Sequence, residues 1–349
     1  DARMRANISV LHAGVTLPSA CLPFDVIPSA YLDWYKAVFE NGARLPPPRD
    51  ARAALRLFAA QPQRLDGSNH FYVTQLYEFD GEILYHHSNV TLTTKSIYFG
   101  NRKYVEHSGE AIIFAVTPRS GHVITVRLDG NRVRLFDMND NRELKAEIAA
   151  ELIASIEGRV YLKHDTALLE LAFVELSHAI LPHVKAIGNL AKNATQMFEG
   201  AAIQNLLGTY YASLLPHAGV CHQRRLAEID HYRIVDAKFS EGVLVIVGAK
   251  DGKYDKFIFR FDDEYREYDV RVIEDVESAA INMTVLDNGV CLHLNDRDEL
   301  EIFSRHKGSA GLKVIADKAL HGDCKLSHYG AQALFAAGNK LYKFTMRQS

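Results

Sequence analysis

The stretch Glu241-Gly242-Val243-Leu244-Val245-Ile246-Val247-Gly248-Ala249-Lys250-Asp251-Gly252-Lys253-Tyr254-Asp255-Lys256-Phe257-Ile258-Phe259-Arg260-Phe261 decides how this chain folds. Two short runs rich in Val, Ile and Phe flank an Asp-Gly pair. Such runs read as strands, and Asp-Gly between them reads as a tight hairpin, because glycine supplies the positive φ that a type I′ turn requires. Upstream, Ile234 to Phe239 is a further strand-like run, and Glu241-Gly242 separates it from Val243 in the same way. The unit is therefore an up-and-down series of strands, with polar residues confined to the turns.

The same grammar recurs. An acidic or polar residue, then Gly, then an apolar run occurs at Asp80-Gly81, Ser120-Gly121, Glu157-Gly158, Glu199-Gly200, Glu241-Gly242, Asn288-Gly289 and Tyr329-Gly330. The glycines are separated by 40, 37, 42, 42, 47 and 41 residues. A four-stranded propeller blade has a period of about 40 to 50 residues. The expected fold is all-β: a seven-bladed β-propeller with WD40-like repeats and a short N-terminal helical segment. The sixth unit reads as a strand over Ala279 to Leu286, a turn at Gly289, a second strand from Val290, a turn at Asn295 to Asp298, and a third strand from Leu300. Two Ala- and Leu-rich stretches, Glu143 to Ile156 and Leu168 to Lys192, are compatible with helix by local propensity. Glu157-Gly158 and Glu199-Gly200 keep the register, so both are assigned to strands, with a helical insertion between blades as the alternative.

A ring of blades must join its ends, or two sheet edges stay open. The last unit stops at its third strand, Leu341 to Met346, so the fourth must come from elsewhere. The run Ala53 to Phe58 lies just before the first repeat, and some of residues 53 to 60 are expected to pair beside Leu341 to Met346 and close the ring.

Residues 1–50 differ in character from 51–349, and the chain divides there into an N-terminal segment and the propeller. Pro18, Pro23, Pro28 and Pro46 to Pro48 punctuate the segment. Its one regular element spans Pro28 to Asn41, where Ile27, Tyr31, Trp34, Tyr35, Val38 and Phe39 recur at helical spacing to make one aromatic face. Pro28 suits a first helical turn and Gly42 a C-terminal cap.

The run from Trp34 to Pro48, an aromatic helix followed by Gly42-Ala43-Arg44-Leu45-Pro46-Pro47-Pro48, resembles the end of bacterial serine/threonine-kinase-like domains. The resemblance covers about residues 20 to 48. It implies a kinase-like lobe upstream of Asp1, with the propeller as its accessory domain. The chain opens at Asp1 without an initiator Met or a signal-peptide pattern, as expected of a piece of a longer protein. No Gly-rich nucleotide loop, His-Arg-Asp catalytic loop or Asp-Phe-Gly metal motif occurs in it.

Composition narrows the function classes. A formal charge of −3 and a longest basic cluster of Gln223-Arg224-Arg225 argue against a nucleic-acid partner. No apolar run has the length of a membrane span. Cys21, Cys221, Cys291 and Cys324 lack paired spacing, which points to a reducing, cytoplasmic setting rather than a disulfide framework.

Several local patterns imitate sites. His321, Cys324 and His328 are three zinc-type ligands without a fourth, and on a strand they would not share one side. Cys291 with His293, and Cys221 with His222, have no orienting acid at an obvious position. Asp137-x-Asn139-x-Asn141 begins like a calcium loop but lacks the Gly at the sixth position and the Glu at the twelfth. Gly248 to Lys253 imitates a phosphate loop, one residue short and with no helix after it. Each is read as a hairpin or a strand end. Sixteen histidines, among them His86, His87, His178, His183, His217, His222 and His231, are spread over the chain with no converging cluster in the sequence.

No catalytic, cofactor-binding or metal-ligating residues are assigned on this basis, and no cofactor is expected. The leading expectation is a non-catalytic scaffold that binds a protein or peptide partner, the kinase-like domain of the same polypeptide among them. Two other classes stay open. One is a propeller hydrolase or lyase with residues converging in the central channel; the other is a structural or assembly protein.

Overall fold

The computed structural model describes residues 15, 29–39, 63–65, 68–100, 102–106, 113–176, 179–215 and 221–347. Ser29–Phe39 is an α-helix within the Pro28 to Asn41 span expected from the aromatic spacing, whose remaining residues lie outside the described ones. Tyr35 and Phe39 stack within it, with ring centroids 5.8 Å apart.

Seven antiparallel sheets follow. Blades 1 to 6 are continuous in the chain, at 83–106, 113–144, 152–189, 195–225, 233–276 and 283–316. Their innermost strands are Ile83–His87, Ile113–Val116, Leu152–Ile156, Thr195–Phe198, Arg233–Ser240 and Met283–Val285. Blade 7 takes Lys325–Tyr329, Gln332–Ala337 and Lys340–Met346 from the chain's end. The Ala- and Leu-rich stretches are strands: Leu152–Ile156, Ala167–Glu175 and Ile180–Asn189.

The stretch quoted at the outset shows why the fold is a ring of sheets. Val243, Leu244, Val245, Ile246 and Val247 are all fully buried. Alternate side chains of a strand leave opposite faces of the sheet. Leu244 and Ile246 enter the apolar layer between blades 4 and 5, with Phe257 and Phe259 of the neighbouring strand. Val243 and Val245, with Ile258, enter the layer between blades 5 and 6. A strand buried on both faces must be apolar throughout, and this one is. The molecule has no single core. It has seven apolar layers, one at every blade-to-blade contact around the ring.

Ring closure corrects the expectation in its detail. The N-terminal side does supply the missing strand of blade 7, but the strand is Phe71–Glu78, paired antiparallel with Lys340–Met346. Gln63–Leu65 adds a fifth, outermost strand. Both edges of Lys340–Met346 are thus taken, one by Phe71–Glu78 and the other by Gln332–Ala337. Residues 53 to 60 lie outside the described residues. The closing strand is held by burial: Phe71 and Val73 are each 1% exposed in the layer between blades 6 and 7. Asp317 fastens the strand. One carboxylate oxygen accepts Ser68 Oγ at 2.8 Å, Asn69 N at 3.1 Å and His70 N at 3.0 Å.

The glycine rhythm is also corrected at one place. Six of the seven glycines sit between the first and second strands of their blades. Gly81 does not; it lies in the link from Phe71–Glu78 to Ile83–His87, and the first hairpin of blade 1 turns at Ser88 and Asn89 instead. Glu157-Gly158 (φ 51° and 74°) and Glu241-Gly242 (φ 42° and 87°) have the two positive φ values of type I′ turns.

Candidate functional site

All seven blades are oriented alike, so the innermost strands run the same way along the axis. Residues at the end of those strands therefore form a ring around one end of the central channel. His87 closes the first strand of blade 1, and Glu157 follows that of blade 3. Glu199 follows that of blade 4, Ser240 closes that of blade 5, and His328 lies one residue from the end in blade 7. These side chains line a cavity of about 950 Å³ whose wall continues along blades 6, 7 and 1.

The histidines converge, contrary to the sequence reading. His87 and His328 meet edge to face, with ring centroids 5.9 Å apart. His328 Nδ1 lies 2.7 Å from Thr284 Oγ1, and its Nε2 is 3.8 Å from an Asp287 carboxylate oxygen. His86 Nδ1 lies 2.9 Å from Thr91 Oγ1. Burial holds His86 at about 3, helped by His87 and His328. Burial also lowers His328, against the pull of Glu157 and Asp287. Both imidazoles are neutral near pH 7.

Carboxylates surround them. Glu199 Oε1 accepts from Lys238 Nζ at 3.0 Å, and the Glu199 carbonyl accepts the Phe239 N–H at 2.8 Å. Gly200 makes this approach possible, since a Cβ there would stand 2.3 Å from the Phe239 carbonyl oxygen. Ser240 Oγ donates to Glu157 Oε1 at 3.1 Å, and the Glu157 N–H reaches Tyr85 Oη at 3.0 Å across the channel. Glu157 holds this place in a left-handed backbone conformation that costs a non-glycine residue roughly 1 kcal/mol or more. Burial raises Asp236, and the neighbouring Glu199 adds to the shift. The Tyr85 phenol is pushed up by burial, then by Glu199 and Glu157.

The imitation sites resolve as follows. His321 is half-exposed near Asp323, Cys324 is 1% exposed with its thiol pushed up by burial, and His328 lies at the far end of the strand. The three do not share an ion. Cys291 is buried and its thiol is raised by that burial, so it is no nucleophile. His293 does have an orienting acid, which the sequence reading missed: Glu301, eight residues on and one strand across, at 3.0 Å from Nδ1. Burial pushes Glu301 up, but His293 and the Arg271 guanidinium outweigh it and hold the acid at about 2. Burial raises Cys221 to about 11 and lowers His222, which stacks on Tyr265. Gly248 to Lys253 is the expected hairpin.

Asp137, Asn139 and Asn141 lie in the expected turn, and His122 joins them. Among the described residues, His122, Asp137 and Asp140 are the group whose ligand atoms are near enough to share a metal ion. Asp137 is already engaged, by His122 Nδ1 at 3.0 Å and the N–H groups of Asn139 and Asp140 at 3.0 and 3.3 Å. The group locks one hairpin onto another.

No family model and no curated protein matches the chain. Solved structures with a similar fold include Hsv2 of Kluyveromyces lactis, at TM-score 0.44 and 11% identity over 77% of this chain and 98% of that one. The Cps50 (Swd1) β-propeller domain of Myceliophteria thermophila gives 0.45 and 10% over 80% and 99%. An oligogalacturonate lyase in complex with manganese gives 0.43 and 13% over 82% and 96%. These are likenesses of fold, and none assigns a ligand or an activity to this chain. No helix among the described residues is long and apolar enough to cross a membrane.

Proposed function

We propose that the chain is a non-catalytic interaction module whose central channel receives part of a protein or peptide partner. The observation that carries this reading is the channel itself: a cavity of about 950 Å³ to whose mixed polar and apolar wall six blades contribute polar side chains, on a frame fixed by seven apolar layers. A rigid ring presents such a site without ordering cost, which is what favours binding to a preformed pocket. The partner in view is the kinase-like domain of the same polypeptide, to which the helix Ser29–Phe39 would belong as its last element. Residues 1–50 would then be that domain's edge and 51–349 the module, in a cytoplasmic setting.

The test is to plug the channel. Thr284→Phe and His87→Trp would fill it from two sides, and each is compared with the parent for binding to the kinase-like domain, with melting curves to confirm folding. Loss of binding by folded, plugged variants supports the reading. Undiminished binding overturns it.

One observation favours a second reading, an enzyme of the hydrolase or lyase kind. His87, His328, Glu157 and Glu199 converge in one funnel, and imidazoles beside carboxylates are the usual material of general acid–base chemistry. Turnover of an ester or uronide substrate that His328→Gln abolishes without lowering the melting temperature would establish that reading over the first.

A further inference from the structure

We propose that the contact between blades 5 and 6 is an acid-opened joint: it stays closed while the His293 imidazole is neutral and opens when that ring takes a second proton. The apolar part of the contact is built from Val243, Val245, Ile258, Met283, Val285 and Cys291. The rest is charged. Arg271 of blade 5 makes a bidentate pair with Glu301 of blade 6, one arm of it at 3.1 Å. Lys256 of blade 5, only 1% exposed, donates to Asp296 of blade 6 at 3.0 Å. His293, on the second strand of blade 6, lines the same pocket as both pairs and is itself fully buried.

The hydrogen bonds fix the protonation of the ring. Glu301 is ionised near neutral pH, and a carboxylate only accepts. His293 Nδ1, 3.0 Å from Glu301 Oε2, therefore carries the ring's one proton. Nε2 is left with a bare lone pair, sealed from the surface and without a hydrogen-bond partner among the described residues. A second proton would have to go there, where neither an acceptor nor solvent meets it. The penalty of a buried, unmatched donor then adds to that of a buried cation. The closed joint refuses the proton. The open joint, with the ring in water, accepts it near the ordinary value of 6.5.

The charges around the ring act in the same sense. Lys256 and Arg271 face it from the third and fourth strands of blade 5, and Glu301 from the third strand of blade 6. The first strand of blade 6 sets only Met283 opposite it. Asp296 is engaged by Lys256 and the Ser278 N–H, and Glu274, Asp275, Glu277, Arg297 and Glu299 also line the pocket. Burial lowers His293, Glu301 pulls it back up, and Lys256 and Arg271 side with burial, so it stays below 6.5. A native value below the unfolded one means that the open form gains the proton first. The contact therefore loses stability as pH falls below 6.5. Lys238 and Ser240 of blade 5 and Asn282 and Thr284 of blade 6 line the central cavity, so opening the joint reshapes that cavity too.

Cys291 reports on the joint. It is fully buried in the same layer, two residues from His293 on one face of the strand. Cys324, 1% exposed in the layer between blades 6 and 7, serves as the reference. The full chain is labelled with a dithiodipyridine reagent, which reacts with thiols in mild acid, between about pH 7.5 and 5. Each cysteine is read by peptide mass spectrometry against the same chain unfolded in urea. At low reagent the labelling rate tracks the population of the open form. Cys291 labelling is expected to rise at least about tenfold over that range while Cys324 stays level. His293→Gln, whose amide can donate to Glu301 but does not titrate, is expected to flatten the Cys291 profile. A level Cys291 profile in the parent, a rise shared equally by Cys324, or a slope that survives His293→Gln would overturn the proposal. Should His293→Gln not fold, the two cysteine profiles of the parent still decide.

Discussion

Blade 5 and the four inner strands of blade 7 share one plan and have opposite histories. Blade 5 is one uninterrupted run, 233–276, whose strands pair with their immediate neighbours in the chain. Blade 7 is assembled from both ends, and its pairing of Phe71–Glu78 with Lys340–Met346 spans nearly the whole sequence. The two are almost equally dry: Phe259 is 0% exposed and Phe344 3%. What differs is the entropy of bringing the parts together. Blade 5 closes short loops, whereas blade 7 must wait until the other blades have formed, because loop closure costs more with length. The seam is therefore the site where the cooperativity of the ring is enforced.

Removing the seam should have the largest effect. A chain beginning at Asp80 loses Phe71, Val73 and Leu76, about 2 kcal/mol of burial each, from a molecule whose total stability is expected in the range of about 5–15 kcal/mol. Circular dichroism and urea melts should find it largely unfolded. A chain beginning at Asp66 loses the N-terminal segment and the outer strand Gln63–Leu65 but keeps the closing strand, and should melt within about 1–2 kcal/mol of the parent. Equal damage from both cuts would erase the contrast between the closing strand and its cover.

Next in size is Phe259→Ala, which opens a cavity in the layer between blades 4 and 5 and should cost about 3–5 kcal/mol in urea melts. Hydrogen exchange sharpens the comparison. In the parent, amides of Phe71–Glu78 should exchange well before those of Val243–Lys250, because the seam can open without the rest.

Among the point substitutions the smaller effect is that of Asp317→Ala, about 2–3 kcal/mol at neutral pH for the loss of charge-assisted hydrogen bonds from Ser68, Asn69 and His70. Burial raises the Asp317 carboxyl, but these donors and the Ala319 N–H outweigh it and hold it below its ordinary value of 3.8. A lowered native value means that the stabilisation is complete above about pH 4 and fades as pH falls through that native value. The gap between parent and variant should shrink on the acid side and nowhere else. A gap constant down to pH 2 would remove the carboxylate from the account.

Much of the ring was legible because propeller blades write themselves twice, once in the hairpin glycines and once in strands apolar on both faces. Val243 to Val247 could be nothing else. The closing strand was harder to read. Phe71–Glu78 carries Tyr72, Thr74 and Gln75 among its apolar residues, and the Gly338 turn before its partner points only to the neighbouring strand, so a pairing across the whole chain left no local trace. The channel was half-written. Glu157, Glu199 and Glu241 were noticed as the residues before hairpin glycines, yet they read as turn residues. That equivalent positions in successive blades make one ring is a property of the assembled fold. His87 and His328 are more than two hundred residues apart in sequence, and no spacing rule brings them together.

The seam has one more consequence. The Arg347 N–H donates to the His70 carbonyl at 2.9 Å, so the two extremities of the closed ring lie side by side on one rim. A short linker from residue 347 to residue 70 would make the backbone circular. The exposed hairpin at Leu207 and Gly208 could then be cut to create new termini in blade 4. Such a circular permutant would keep every blade while moving the stitch elsewhere, and anything fused at residue 70 or residue 347 of the uncut ring would project from the same edge of the disc.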